Sequence, residues 1–410
     1  MISVARAIEI VLSHVRVAPA ECIPLLQAMH RVLAENIFSD IDMPPFDKAS
    51  MDGYAFRSAA TASVPVNLRV VGTIAAGVFP RFEIGSGQAA KIMTGAPLPA
   101  GADCVQMVEK TESESAEQVQ ILEAVVPGQH VAKQGEVLRA DTCVLKAGSY
   151  VSPQTLALLA TVGHEEVSTY KRPRVGILVT GDELVDVSEN PGPGQIRNSN
   201  AAALFAQVRE TGAQAIPLGI ASDDLQELAS KIREGLANDM LLVTGGVSMG
   251  EFDFVEQVLT EIGAEIFFKK VNIKPGKPAV FAKVGETLIF GLPGNPVSAS
   301  TVFEVIARPA LRKMMGFTQF GNVKVEAKLT EAFKSKTRRE NYLPGQAAWR
   351  DGTFLVRPVV SKGSADVRAH ALSNCYLLAP PETDNFEPGL QIEVMLRSDF
   401  WCGNGFEGEF

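Results

Sequence analysis

Three apolar runs between residues 240 and 300 each meet a glycine-rich junction: MLLVTGGVSMGEFD (240–253), VNIKPGKPAVF (271–281) and TLIFGLPGNPVSAS (287–300). They sit inside a longer alternation. RVGILVTGDEL reads as a buried strand and loop, SNAAALFAQVRETGA as a helix and QAIPLGI as a strand. DDLQELASKIREGLA follows as a helix, MLLVTGG as a strand, FVEQVLTEIGA as a helix and AEIFFKKV as a strand. KPAVFAKV and TLIFGLPG come next, then a helix that starts on Pro296. This pattern predicts a three-layer α/β domain over 172–320 with a largely parallel sheet. Ligands of such sheets bind outside the C-terminal ends of the strands. TGDE, GIASDD, TGGVS and GLPGNP all fall there, as the rim of a site for a phosphorylated ligand.

The flanks differ in style. Residues 3–15 predict an amphipathic helix, 28–36 a second short helix, and 152–163 a helix capped by Ser152 with Pro153 at its first position. The last is expected to pack with the N-terminal helices. From 64 to 150 short β-like runs are punctuated by glycines, which predicts a small β-rich unit. The expected division is therefore a discontinuous N-terminal domain (1–46 plus 142–171), a β-rich insertion (47–141), the α/β domain (172–320) and a C-terminal β domain (321–410), a small barrel or sandwich ending in a loose tail, WCGNGFEGEF. The class is multidomain α+β and α/β.

The chain has 410 residues and 46% apolar content, enough to fill real cores. A formal net charge of −9 makes long nucleic acids poor partners. Cys22, Cys104, Cys143, Cys375 and Cys402 form no CxxC or Cys/His cluster, and read as free thiols of a reducing compartment. No run reaches the length of a membrane span. The expected location is the cytoplasm, with no membrane partner.

Each junction carries a chemical and a structural reading. Gly245 and Gly246 permit tight turns, and backbone N–H groups at a following helix start can cradle a phosphate, as can a plain turn without ligand. Asp182 and Glu183 can bind a divalent metal or a substrate amine or hydroxyl, or simply sit on a helix dipole. Asp223, in SDD, either caps a helix or joins them, and Asp253 is similarly placed. Mg²⁺ uses one or two carboxylates plus phosphate oxygens, leaving another acid as base or to position water. Lys269, Lys270, Lys274 and Lys277 surround the stiff KPGKP turn and suit an oxyanion. Asn295 or Ser298 of GLPGNPVSAS can bond a ligand or the backbone. Asp52 of SMDGYAF and Thr94 of MTGAPLPAGAD lie in irregular loops that sequence cannot place. No Walker A, HExxH, GxSxG or complete GxGxxG is present.

PPFDKASMDGYAF, KIMTGAPLPAGADCVQMVE, ILVTGDEL, LLVTGGVSMGEFDFV, IKPGKPAVF and FGLPGNPVSA, in this order over nearly the whole chain, resemble the MoeA family of molybdopterin molybdenumtransferases. The resemblance implies an elongated, L-shaped homodimer with four domains per subunit. It implies Mg²⁺-assisted insertion of molybdate into adenylylated molybdopterin, cleavage of the pyrophosphate link, and release of AMP with molybdenum cofactor. The upstream adenylyltransferase and acceptor molybdoenzyme machinery become expected partners. Carried onto this chain, the implied catalytic residues are Asp52, Glu183, Asp223, Asp253, Lys270 and Lys274, with Glu183, Asp223 and Asp253 organising the metal. Thr94, Gly181, Asp182, Gly245, Gly246, Ser248, Lys277, Pro293, Gly294, Asn295 and Ser364 form the implied binding set. Asp52 and Thr94 would approach from the other subunit.

Three departures from the family pattern stand out. Lys48 replaces the usual Asn in FDKASMDGYA, TRRENYLPG (337–345) differs from the common arginine motif, and KGSADVRAHALSN keeps Ser364 without its paired serine. They leave open a tungstate-inserting paralogue or a catalytically weak molybdopterin-binding scaffold.

Overall fold

The computed structural model describes residues 1–246, 254–398 and Phe400, apart from the side chains of residues 113 and 114. The α/β unit is a six-stranded sheet. Its strands are β1 (Arg174–Thr180), β2 (Gln214–Ala221), β3 (Met240–Thr244), β4 (Glu265–Lys270), β5 (Pro278–Val284) and β6 (Thr287–Leu292), in the order β2-β1-β3-β6-β5-β4. β2, β1, β3 and β6 are parallel, and only β5 runs against its neighbours. Every residue of β3 and β6 is buried, the mark of strands covered on both faces.

Helices α1 (Ser199–Thr211) and α4 (Pro296–Val302) cover one face, with Leu204, Val208, Val302 and Phe303 against Phe281 and Phe290. Helices α2 (Leu225–Gly235) and α3 (Phe254–Glu261) cover the other, with Leu228, Ile232, Val255 and Leu259 against Leu241 and Ile289. The helix expected to run on from Pro296 contains a π turn, Phe303–Ala307, before α5 (Arg308–Met314). Pro309 has no N–H to offer the carbonyl of Val305, and the wider turn accommodates that loss.

The N-terminal helix Val4–Ser13 starts at Ser3, whose side chain accepts the Arg6 N–H. Its Val4, Ala7 and Val11 sit in the same core as α1 and α4. It thus docks on the α/β unit, while the 153–161 helix packs on the short turn Leu25–Ala28. No helix forms over 28–36. His30 adopts a positive φ of 64°, and Val32 and Leu33 bridge to Tyr150 and Thr169 instead. Strands Ala20–Pro24 and Ile37–Phe38 pair with Glu166–Tyr170 and Cys143–Leu145, on the far side of an inserted six-stranded sheet with its own core.

Beyond α5, strands Lys324–Leu329, Glu340–Arg350, Thr353–Pro358, Cys375–Ala379 and Gln391–Leu396 close into a barrel. Residues 401–410, the expected loose tail, lie outside the described residues. Among the described residues no helix is long and apolar enough to cross a membrane.

Candidate functional site

β1 is flanked by β2 on one side and β3 on the other. The chain leaves β1 toward β2 and leaves β3 toward the opposite edge. Strand order therefore reverses between β1 and β3, and the crevice at such a point is where open α/β sheets bind ligands. A cavity of about 630 Å³ lies there. Gly181 and Glu183 line it from the end of β1, Gly245 and Gly246 from β3, and Pro293, Gly294 and Asn295 from β6. Asp223, beyond β2, joins them. The four strand-end loops expected to form a rim thus converge on one cavity.

Gly245 makes the convergence possible. Its φ is 97°, and a Cβ there would overlap the Thr180 carbonyl oxygen and come 2.6 Å from Thr180 Oγ1. Asn200, buried in the first turn of α1, then ties the loops together. Its Nδ2 donates to Thr244 Oγ1 at 3.1 Å and to the Gly294 carbonyl at 2.7 Å. Thr244 Oγ1 donates to the Pro293 carbonyl at 2.9 Å. Thr180 and Asn200 line this cavity, and their Oγ1 and Oδ1 are buried without a hydrogen-bond partner among the described residues. Such atoms are costly unless a ligand or water meets them. In the sequence Asn200 is simply a polar residue at a helix start. Its signal was the polar NSN run before an apolar helix. Asn200→Ala should lower stability by about 1–3 kcal/mol, because a buried hydroxyl and a partly buried carbonyl lose their donor. Urea unfolding checks this, and an unchanged midpoint would mean that the loops are held by other contacts.

The acids gather at the same mouth. Asp182 Oδ1 accepts the Asp223 N–H at 3.0 Å. Partial burial, then the charges of Asp182 and Glu183, push the Asp223 carboxyl above its ordinary range. None of the three acids has an ion-pair partner among the described residues. No three metal-ligating side chains converge among the described residues. Glu183 and Asp223 do line one cavity, and two carboxylates match a cation that takes its other ligands from phosphate oxygens.

The basic loop is built against α4. Gly276 has φ 110°, and a Cβ there would overlap Val302 Cγ2. Just before it, Ile273–Lys274 forms a short strand beside Glu340–Asn341 of the barrel, and Arg339 Nη1 donates to the Ile273 carbonyl at 3.1 Å. The loop expected as a turn is thereby clamped between the α/β unit and the barrel. Lys270 ends β4 opposite Pro278, which lines the cavity next to Lys277. The lysine side chains flank the cavity and are not part of its lining. On the barrel side, the Ser364 carbonyl accepts the Val297 N–H at 3.1 Å, and Ala365 and Val367 line the cavity. The 362–374 segment therefore borders the site.

Asp52 and Thr94 meet each other within the inserted unit. The Thr94 N–H and hydroxyl both donate to Asp52 Oδ1, at 2.6 and 2.8 Å, and hold its carboxyl below the usual range. Neither lines the glycine-loop cavity. Ser248 and Asp253 lie outside the described residues.

Comparison with known proteins matches the whole course of the chain. Residues 2–163 match the model of the MoeA N-terminal region (domain I and II), 176–313 a probable molybdopterin binding domain, and 326–396 the MoeA C-terminal region (domain IV). A molybdopterin molybdenumtransferase of Bacillus subtilis is 35% identical over 92% of this chain and 89% of its own. One from Nostoc is 38% identical over 82% and 78%. The solved molybdopterin biosynthesis moeA protein of Pyrococcus horikoshii superposes with a TM-score of 0.83 at 29% identity, covering 97% of this chain and 100% of that one. With the glycine loops converged at the sheet's switch point and relatives aligned from end to end, the chain belongs to the MoeA family of molybdopterin molybdenumtransferases.

Proposed function

We propose that the protein is a molybdopterin molybdenumtransferase that inserts molybdate into adenylylated molybdopterin, cleaves the pyrophosphate link and releases AMP. The observation that carries this reading is the cavity at the β1/β3 switch point, where glycine backbones and an acid pair face one space. Gly245 and Gly246 let a phosphate approach the backbone closely, and Thr180 and Asn200 line the same space. Glu183 and Asp223 would hold Mg²⁺, which when bound neutralises charge building on the phosphate oxygens. Lys270, Lys274 and Lys277 attract and orient the anionic substrates, molybdate among them. Asp182 fixes the backbone of Asp223, and so its carboxylate.

The same reading makes the working unit a cytoplasmic homodimer, with Asp52 and Thr94 of one subunit completing the site of the other. Their mutual hydrogen bonds leave Asp52 ionised and oriented for that role. Mixing Asp52→Asn chains with Glu183→Gln chains tests it. Mixed dimers should regain part of the activity that both parents lack. No recovery, in verified mixed dimers, would place all these residues in one subunit's site.

Lys274→Gln should raise the molybdate or nucleotide concentration needed for half-maximal rate by about tenfold, the effect of losing one charge-assisted contact. Unaltered dependence on both ligands would remove Lys274 from the site.

A further inference from the structure

A second cavity, of about 990 Å³, opens at the other end of the same sheet, where β2 begins at Gln214. Four arginines line it: Arg172 before β1, Arg209 in the last turn of α1, and Arg308 and Arg312 one turn apart on α5. Arg308 is 6% exposed. Its Nη1 reaches Glu304 and Ser398 Oγ, but its buried Nε has no acceptor among the described residues. Arg172, Arg209 and Arg312 have no ion-pair partner among the described residues. Glu210 lines the cavity and Glu304 pairs with Arg308, so positive charge remains in excess. Burial, then Arg31 and Arg209, push the Arg172 guanidinium below its ordinary value, and burial and Arg308 do the same to Arg312. Arg172 and Arg209 are exposed at the rim, Arg312 is partly buried and Arg308 buried, so the recess presents an accessible cationic wall that attracts an anion.

The recess is also aromatic. The rings of Tyr150 and Phe317 stand 5.8 Å apart, Arg312 lies over Phe317 at 5.7 Å, and Tyr150 is 43% exposed. The volume far exceeds that of a bare oxyanion and falls in the range of small-molecule pockets, roughly 300–1,000 Å³. We propose that this cavity binds a phosphorylated small molecule with a flat organic part, apart from the glycine-loop site. The guanidinium groups take the phosphate through paired N–H donors, and Tyr150 covers the organic part.

Equilibrium dialysis of the full chain with AMP is the test. Wild-type protein should bind at two classes of site, with inorganic phosphate competing at both. Arg172→Gln with Arg209→Gln should weaken one class by about tenfold or more and leave the other, and turnover, unchanged. These two side chains make no hydrogen bond or ion pair among the described residues, so the fold should survive their loss. On wild-type protein, AMP should also protect Arg172 and Arg209 from phenylglyoxal, read by mass spectrometry. A single class of site that persists in the double variant, or equal labelling with and without AMP, would overturn the proposal.

Discussion

Glu183→Gln should lower the rate of AMP release from adenylylated molybdopterin by about a hundredfold or more, with the unfolding midpoint unchanged. Glu183 is exposed at the mouth of the cavity and makes no ion pair among the described residues, so its charge contributes little to the fold. Its carboxylate shares that mouth with Asp223, whose own carboxyl its charge helps to push up. A group held there at the expense of repulsion between like charges has its use in the reaction, where charge on the phosphoanhydride changes. The glutamine variant keeps shape and removes charge. A steady-state assay with saturating substrates separates the outcomes. Unchanged turnover would remove Glu183 from the chemistry and leave Asp223 with the residues beyond the described set.

Gly245→Ala should have the largest structural effect of any single methyl group added at the site. The backbone there is left-handed, and the methyl would press on both the carbonyl and the hydroxyl of Thr180. The carbonyl cannot yield without moving the end of β1. Positive φ on a non-glycine residue and overpacking against backbone each cost about 1–3 kcal/mol, so the sum is about 2–6 kcal/mol. Moving β1 away from β3 also pulls Gly294 from Asn200, since the two loops are in contact through Gly245. Destabilisation should therefore come with loss of nucleotide binding. Calorimetry and AMP binding on one preparation would show both. Normal binding in a destabilised variant would separate the loop's packing from its role toward ligand.

Much of this site was legible in the sequence because its physics is local. A continuous apolar run that stops at TGDEL, TGG or LPGNP marks a buried parallel strand and the loop at its end, and the order of strands and helices puts those ends on one side. What escaped is non-local. Asn200 looks like any polar residue at a helix start until Thr244 and Gly294 come within reach. The pairing of Ile273–Lys274 with the barrel involves two residues on each side, too few for any pattern. The four arginines of the second cavity are spread from 172 to 312 and carry no shared motif. The helix expected over 28–36 failed because apolar spacing there suited either structure, and tertiary bridges from Val32 and Leu33 decided it.

Two barrel segments border the site. Asn341, in the changed TRRENYLPG stretch, is buried and donates to Ser335 Oγ at 2.9 Å. That side chain supports the strand that clamps the basic loop. The Asn341 backbone pairs with Lys274 in that clamp.

The measurement that bears most directly on the account is AMP release from adenylylated molybdopterin with Mg²⁺, with molybdate or tungstate supplied or withheld. The account predicts AMP release that depends on molybdate and matches the molybdenum inserted. Release that follows tungstate instead would reassign the metal, and tight binding with no AMP release under any condition would contradict catalysis by this site.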